Sequence, residues 1–244
     1  MEFRGYLNHI RAEGDLIAAV APRGLDRPVP VCPPWDVREV VAHLAKVYDH
    51  KVMAMRLGRE PNEGEWVTDE PYGKDTVEWF GDEHAKLLAE LAAHSPKDHA
   101  WSWWEPDQTV GFWYRRMALE TVVHRVDVEA QFGPPSAIDA MLAIDGIDEV
   151  LTVMLAGDEE DGTAAPSTGT VEVLAGDASW SVVLESTRTA VTPGRRTSPN
   201  ATLSGDPGEL FLWLWGRVPG EGLTHRGDES LITLLRSRLA AATQ

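Results

Sequence analysis

A carboxylate and an imidazole four positions apart, Glu120 and His124, stand in a stretch from Phe112 to Phe132 that contains neither Gly nor Pro. On a helix that spacing projects both side chains from one face, which is a metal-ligand spacing. Trp113, Met117, Glu120, His124 and Val128 fall along one stripe at helical period, so two polar groups interrupt an apolar face. A buried carboxylate is costly unless it is paired or bound to a cation. The stretch offers two solutions: an ion pair of Glu120 with Arg116 beside a hydrogen-bonded core histidine, or coordination of a metal ion. It is not the zinc-protease motif, because Leu119 precedes Glu120 and the other half of His-Glu-x-x-His is missing.

The elements that position these residues follow from the rest of the chain. At 244 residues with 43% apolar and 25% charged composition, the protein has the make-up of an ordinary globular protein with one large domain or two small ones. No apolar run approaches the roughly 20 residues of a membrane span, and Met1-Glu2-Phe3-Arg4 lacks the apolar core of a secretory signal, so a cytoplasmic, membrane-free, monomeric protein is expected. The single cysteine, Cys32, excludes an internal disulfide framework and a cysteine cage for zinc, leaving His and carboxylate as metal ligands. Cys32 itself reads as a small apolar filler before a Pro-Pro turn or as a redox thiol. A net charge of -17 without a basic stripe argues against nucleic acid.

Helical periodicity predicts a first helix over residues 3–20. Asp36 and Glu39 form a capping box for a second helix from Val37 to about Leu57, on which His43 shares a face with Val40, Val47 and His50. His43 is a third candidate ligand, with a packed or surface histidine as the plain alternative. Residues 58–74 read as a long loop able to cover a site. A third helix spans Asp75 to about His94, with His84 and His94 facing solvent. A Trp-rich connection, the helix around Glu120, and a Ser136-capped helix from Ala137 to about Leu155 complete five helices with a shared core. The acidic, glycine-flanked run at 157–162 marks a domain boundary. Beyond it, alternation at Val171, Val173 and at Trp180, Val182, Leu184 about Gly176-Asp177 predicts a hairpin. A strand at 201–204, a helix from Pro207 to about Gly216, a short strand near 223–225 and a last helix over 229–241 follow. The fold class is therefore α+β in two domains: a helical bundle over 1–157 and a smaller α+β domain over 166–244.

Three stretches taken together, Cys32–Leu44, Arg116–Asp127, and Ala201–Asp206 with Leu212–Arg217, resemble the mycothiol-dependent maleylpyruvate isomerase family of actinobacteria, which joins a DinB-like metal-binding helical bundle to a small C-terminal domain. The resemblance implies that His43, Glu120 and His124 ligate one divalent ion, most often zinc. Three N/O ligands leave zinc an open position, the mark of a catalytic site, and a thiol sulfur placed there would ionise at neutral pH. The implied chemistry is that of a metal-dependent enzyme whose nucleophile is the thiolate of mycothiol, a cysteine-containing sugar thiol. In an isomerase the thiolate adds to the cis alkene of maleylpyruvate and leaves after rotation, whereas in an S-transferase it remains on the electrophile.

Arg217 matches a family position and would clamp a substrate carboxylate, or alternatively it balances a helix dipole at the surface. Asp127 would orient a metal ligand, or pair with Arg125 or Arg116. The segments expected to wall the site, Trp101–Asp107 and Glu63–Trp66, are aromatic and acidic, a composition that favours a general S-transferase over an enzyme for a dianion. The competing reading is a non-catalytic metal-containing protein whose C-terminal domain holds an apolar ligand.

Overall fold

The computed structural model describes residues 1–71, 75–158, 168–195 and 198–243, and the chain divides into two compact units, Met1–Ser136 and Ala137–Gln244. The first unit is a bundle of four helices: α1 (Phe3–Val20), α2 (Val37–Leu57), α3 (Thr76–Ala93) and α4 (Val110–Glu129). The predicted capping box is present: the Asp36 side chain accepts from the Glu39 amide and the Glu39 side chain from the Asp36 amide. At its other end α2 stops on Gly58, whose φ of 63° lies in the left-handed region that glycine tolerates. Asp75 caps α3 by accepting from the amides of Val77 and Glu78.

Helix α4 is the axis of this unit. Between Val110 and Val128 only Arg115 and Glu120 escape full burial, so the helix has no solvent face. Helices α1, α2 and α3 pack around it. Its inward charges must therefore find partners inside the protein. On the α1 side Arg125, fully buried, donates from Nε to Glu13 Oε2 at 2.5 Å and from Nη1 to Glu129 and the Ser136 carbonyl. Between α1 and α3, His84 donates from Nε2 to the Ile10 carbonyl at 2.9 Å. Its ring lies over Gly14, where a Cβ would come within 2.4 Å of Nε2, so the glycine that weakens α1 locally is what admits the imidazole. His84 is thus buried, correcting the expectation that it faces solvent: helical spacing does not reveal the notch that a neighbouring helix provides.

In the second unit α5 (Ala140–Glu149) continues as a π-helical turn, Val150–Leu155. Its cap is Asp139, not Ser136, since Asp139 accepts from the amides of Met141 and Leu142. The sheet has the order β1-β4-β3-β2-β5-β6, where β1 is Gly157–Asp158, β2 Gly169–Ala175, β3 Ala178–Leu184, β4 Arg188–Pro193, β5 Ala201–Gly205 and β6 Thr224–Gly227. The predicted hairpin is β2–β3, with Ala175 opposite Ala178 and Gly176 at φ 59° in the two-residue turn. All neighbours are antiparallel except β2 and β5. Helices α6 (Pro207–Leu214) and α7 (Glu229–Ala242) complete the unit.

The division between units falls after Ser136, about one helix earlier than the composition change at 157–162. Helix α5 packs on α6, and its π-helical continuation packs on α7 and β4. The expected five-helix core is therefore four helices, because helical type alone does not say which core a helix joins. Most of the expected linker, residues 159–167, lies outside the described residues, as do 72–74 of the expected loop.

Candidate metal centre

Helices α2 and α4 run antiparallel: His43 meets Glu120, the Tyr48 hydroxyl meets Thr121 at 2.6 Å, and Lys51 reaches Trp113. This pairing brings the third candidate ligand to the other two. Glu120 Oε1 lies 3.1 Å from His43 Nε2 and 3.3 Å from His124 Nε2. One ligand atom from each of the three residues lies within 4.8 Å of the others, a spacing able to enclose a single ion. The other carboxylate oxygen, Oε2, is taken by Arg116 Nη2. The ion pair offered by the α4 stretch is thus present on one oxygen, and the second oxygen is left to the two histidines.

The surroundings aim the ligands. Asp127 is buried and accepts from His124 Nδ1 at 2.9 Å, which fixes the ring and directs Nε2 towards Glu120. Of the two roles considered for Asp127, the geometry shows contact with His124. Cys32 Sγ donates to the same Asp127 oxygen at 3.5 Å. The Trp35 ring lies 4.9 Å from that of His43 and 6.4 Å from that of His124, forming one wall. Burial opposes the charged form of His124, but Asp127 and Glu120 outweigh it and lift its pKa to about 9. Burial also works against the Glu120 carboxylate, and Arg116 with the two imidazoles holds its pKa well below the usual range. Nε2 of His43 and of His124 both face Glu120 Oε1, and a proton held at such a contact is one that a metal ion would displace.

Lys51, which sequence reasoning passed over, lies with His50 farther along the same α2–α4 seam. Lys51 Nζ sits 5.0 Å from the Trp113 ring centroid and donates to His50 Nδ1 at 3.1 Å. Burial, with Glu120 pulling up and Arg116 pushing down, lowers the Lys51 pKa to about 8. Burial and the neighbouring ammonium push His50 down to about 4. The His50 ring is flanked by Trp66 at 5.0 Å and Trp101 at 6.3 Å, so both predicted aromatic segments reach this seam. Their carboxylates have other engagements: Glu65 forms a two-pronged pair with Arg59, and Asp107 accepts from Thr109. Arg217 follows α6 in the second unit, where its Nη1 donates to the Trp215 carbonyl.

The profile of the mycothiol maleylpyruvate isomerase N-terminal domain matches residues 9–129, and that of the same enzyme's C-terminal domain matches 141–233. The chain belongs to the mycothiol-dependent maleylpyruvate isomerase family. Its fold is that of the family: a crystal structure of mycothiol-dependent maleylpyruvate isomerase aligns at TM-score 0.60 and 14% identity, covering 92% of this chain and 93% of the other. A histidine-to-alanine mutant of that enzyme aligns at TM-score 0.60 and 12% identity with the same coverage. No curated protein matches the chain in sequence. The two family profiles meet between residues 129 and 141, which brackets the division of the compact units. Among the described residues no helix is long and apolar enough to cross a membrane.

Proposed function

We propose that this family member is a metal-dependent enzyme that uses the thiolate of mycothiol against an electrophilic small molecule, as an S-transferase or a cis–trans isomerase. The observation that carries the reading is the convergence of His43 Nε2, Glu120 Oε1 and His124 Nε2 within 4.8 Å. The donor set fits a divalent ion, zinc by its N/O chemistry, and three protein ligands leave a position for a further group. When bound, the ion would supply a Lewis-acidic position that favours the thiolate form of the co-substrate at neutral pH.

The chain's own residues do the positioning. Asp127 keeps a proton on His124 Nδ1 and so reserves Nε2 for the ion. Arg116 engages one oxygen of Glu120, biasing that carboxylate towards ligation through the other. Trp35 shields the histidine pair from water on one side. Arg217 is assigned to a substrate carboxylate. An Arg217→Ala protein then keeps its metal and loses turnover, and loss of metal or unchanged kinetics returns Arg217 to a structural role. Use of a cellular thiol places the reaction in the cytoplasm.

The deciding experiment incubates zinc-loaded protein with mycothiol and, separately, with maleylpyruvate and with a bimane electrophile. Conversion to fumarylpyruvate without net thiol consumption identifies an isomerase. Thiol consumed stoichiometrically with the bimane identifies a transferase. Inactivity with both overturns the enzymatic reading in favour of a metal-containing binding protein.

A further inference from the structure

We propose that Lys51 is a specificity-determining residue that seats a carboxylate of the electrophile, in a subsite floored by Trp113 and flanked by His50. The assignment rests on the reading of the metal centre as a reaction site and names the substrate class that centre would take.

The first argument is position. Lys51 lies eight residues after His43 on α2, about 12 Å of helical rise, and Trp113 lies seven residues before Glu120 on the antiparallel α4. The subsite is therefore on the seam that carries the metal ligands, about two turns away. A carboxylate carried on an extended arm of a small molecule reacting at the centre would lie along this seam, towards the ammonium that sits beside Trp113 and His50.

The second is the state of the ammonium. Among the described residues no carboxylate forms an ion pair with Lys51. Its partners are an imidazole nitrogen and an aromatic face, both uncharged. Burial lowers its pKa to about 8, outweighing Glu120 and Glu60, which act on this ammonium only through space. A ligand carboxylate in direct contact would relieve that desolvation cost. By contrast the neighbouring Arg116 is committed to Glu120.

The third is that the surroundings of Lys51 are fixed by contacts of their own. The Trp113 indole N–H is tied to the Trp101 carbonyl at 2.8 Å, which leaves its ring face to the ammonium. The loop that brings Trp66 over His50 is anchored to α2 where Asp49 Oδ2 accepts from the Val67 amide at 2.7 Å. The carboxylates on the two aromatic segments that would repel an anion are paired elsewhere, as Glu65 is with Arg59, or exposed, as Glu63 and Glu105 are. The acidic walls that argued against an anionic substrate at the level of sequence do not converge on this seam, whereas a lysine does.

The test measures binding of maleate, a small cis dicarboxylate, and of its neutral dimethyl ester to the metal-loaded full chain by calorimetry. Lys51→Met should weaken maleate by about tenfold, the usual scale of one charge-assisted contact at a half-buried site. Lys51→Arg should hold maleate within about threefold, since the charge is kept. The ester should bind alike to all forms. Wild-type protein supplies an independent readout: maleate should protect Lys51, and not the exposed Lys86 amine, from reductive methylation mapped by mass spectrometry. Equal maleate affinity in Lys51→Met protein of normal metal content, or no protection of Lys51, overturns the proposal. Lys51-dependent maleate binding in a protein inactive with mycothiol upholds the subsite and overturns only the enzymatic reading.

Discussion

His124 and Arg125 are neighbours in α4, yet they sit in charged clusters that face opposite ways. Arg125 turns to α1 and meets Glu13 and Glu129, so a guanidinium is answered by two carboxylates. His124 turns to α2, where two imidazoles share one oxygen of Glu120. There the balance depends on protons at two Nε2 atoms, and a proton is replaceable by a metal ion whereas a guanidinium is not. Burial and ion pairing are common to both clusters. What distinguishes the site is that its lone pairs converge and its positive charge is exchangeable.

The contrast breaks most sharply at the ligands themselves. Replacing His43, Glu120 or His124 by Ala should remove a full equivalent of metal, and elemental analysis that finds the ion retained in all three would falsify the assignment. With free ion at a thousand times Kd, the loaded wild-type chain should be about 4 kcal/mol more stable than the chelated one. The ligand variants should show no such dependence on chelator.

Arg125→Met is the matched disruption of the other cluster. Leaving Glu13 and Glu129 buried without their cation should cost about 3–5 kcal/mol in urea unfolding while metal content stays at a full equivalent. A loss under about 1 kcal/mol, or loss of the ion, would erase the distinction between the two clusters. Asp127→Asn sharpens the comparison at a finer scale. It should weaken metal binding by about 10- to 100-fold without abolishing it, as measured by competition with a chelator, because the ring of His124 loses its orienting partner.

The smallest effect belongs to the third buried polar contact of the bundle. Burial lowers the His84 pKa below its ordinary 6.5, so the unfolded chain takes up a proton more readily than the folded one. Stability from this group is present above that value and declines as pH falls beneath it. His84→Gln keeps a donor for the Ile10 carbonyl but cannot titrate. Its melting temperature should fall less between pH 6.5 and 5 than that of wild type, and parallel pH profiles would remove His84 as the source.

How much of this was legible in the sequence depends on distance along the chain. Helices α2 and α3 carry their caps locally, and Glu120 with His124 is a one-turn relation that needs no fold to be seen. His43 is 77 positions from Glu120, and only the family resemblance linked them before the α2–α4 packing did. Lys51 gave no signal, and Trp35 stood only within a stretch of family resemblance without a role, because their roles exist only once two helices are docked in register. Helix α5 was grouped with the bundle for its type, whereas its partners are α6 and the sheet unit. Strand β4 lacks apolar alternation at Arg188–Pro193 and is held by its pairing with β3, so nothing in its own residues announced it.

The same unevenness in sequence distance sets an order of assembly for the metal centre. Glu120 and His124 become neighbours as soon as α4 winds, so two of the three proposed protein ligands are a property of one helix. The last ligand arrives only when a long loop has closed and α2 has found its groove, the slow and entropically costly part of folding. For the proposed ion, affinity would therefore gauge helix docking. A chain with α2 detached would keep at most a bidentate grip, and the gap between that affinity and the native one would measure, in free energy, how firmly the bundle holds its second helix in place.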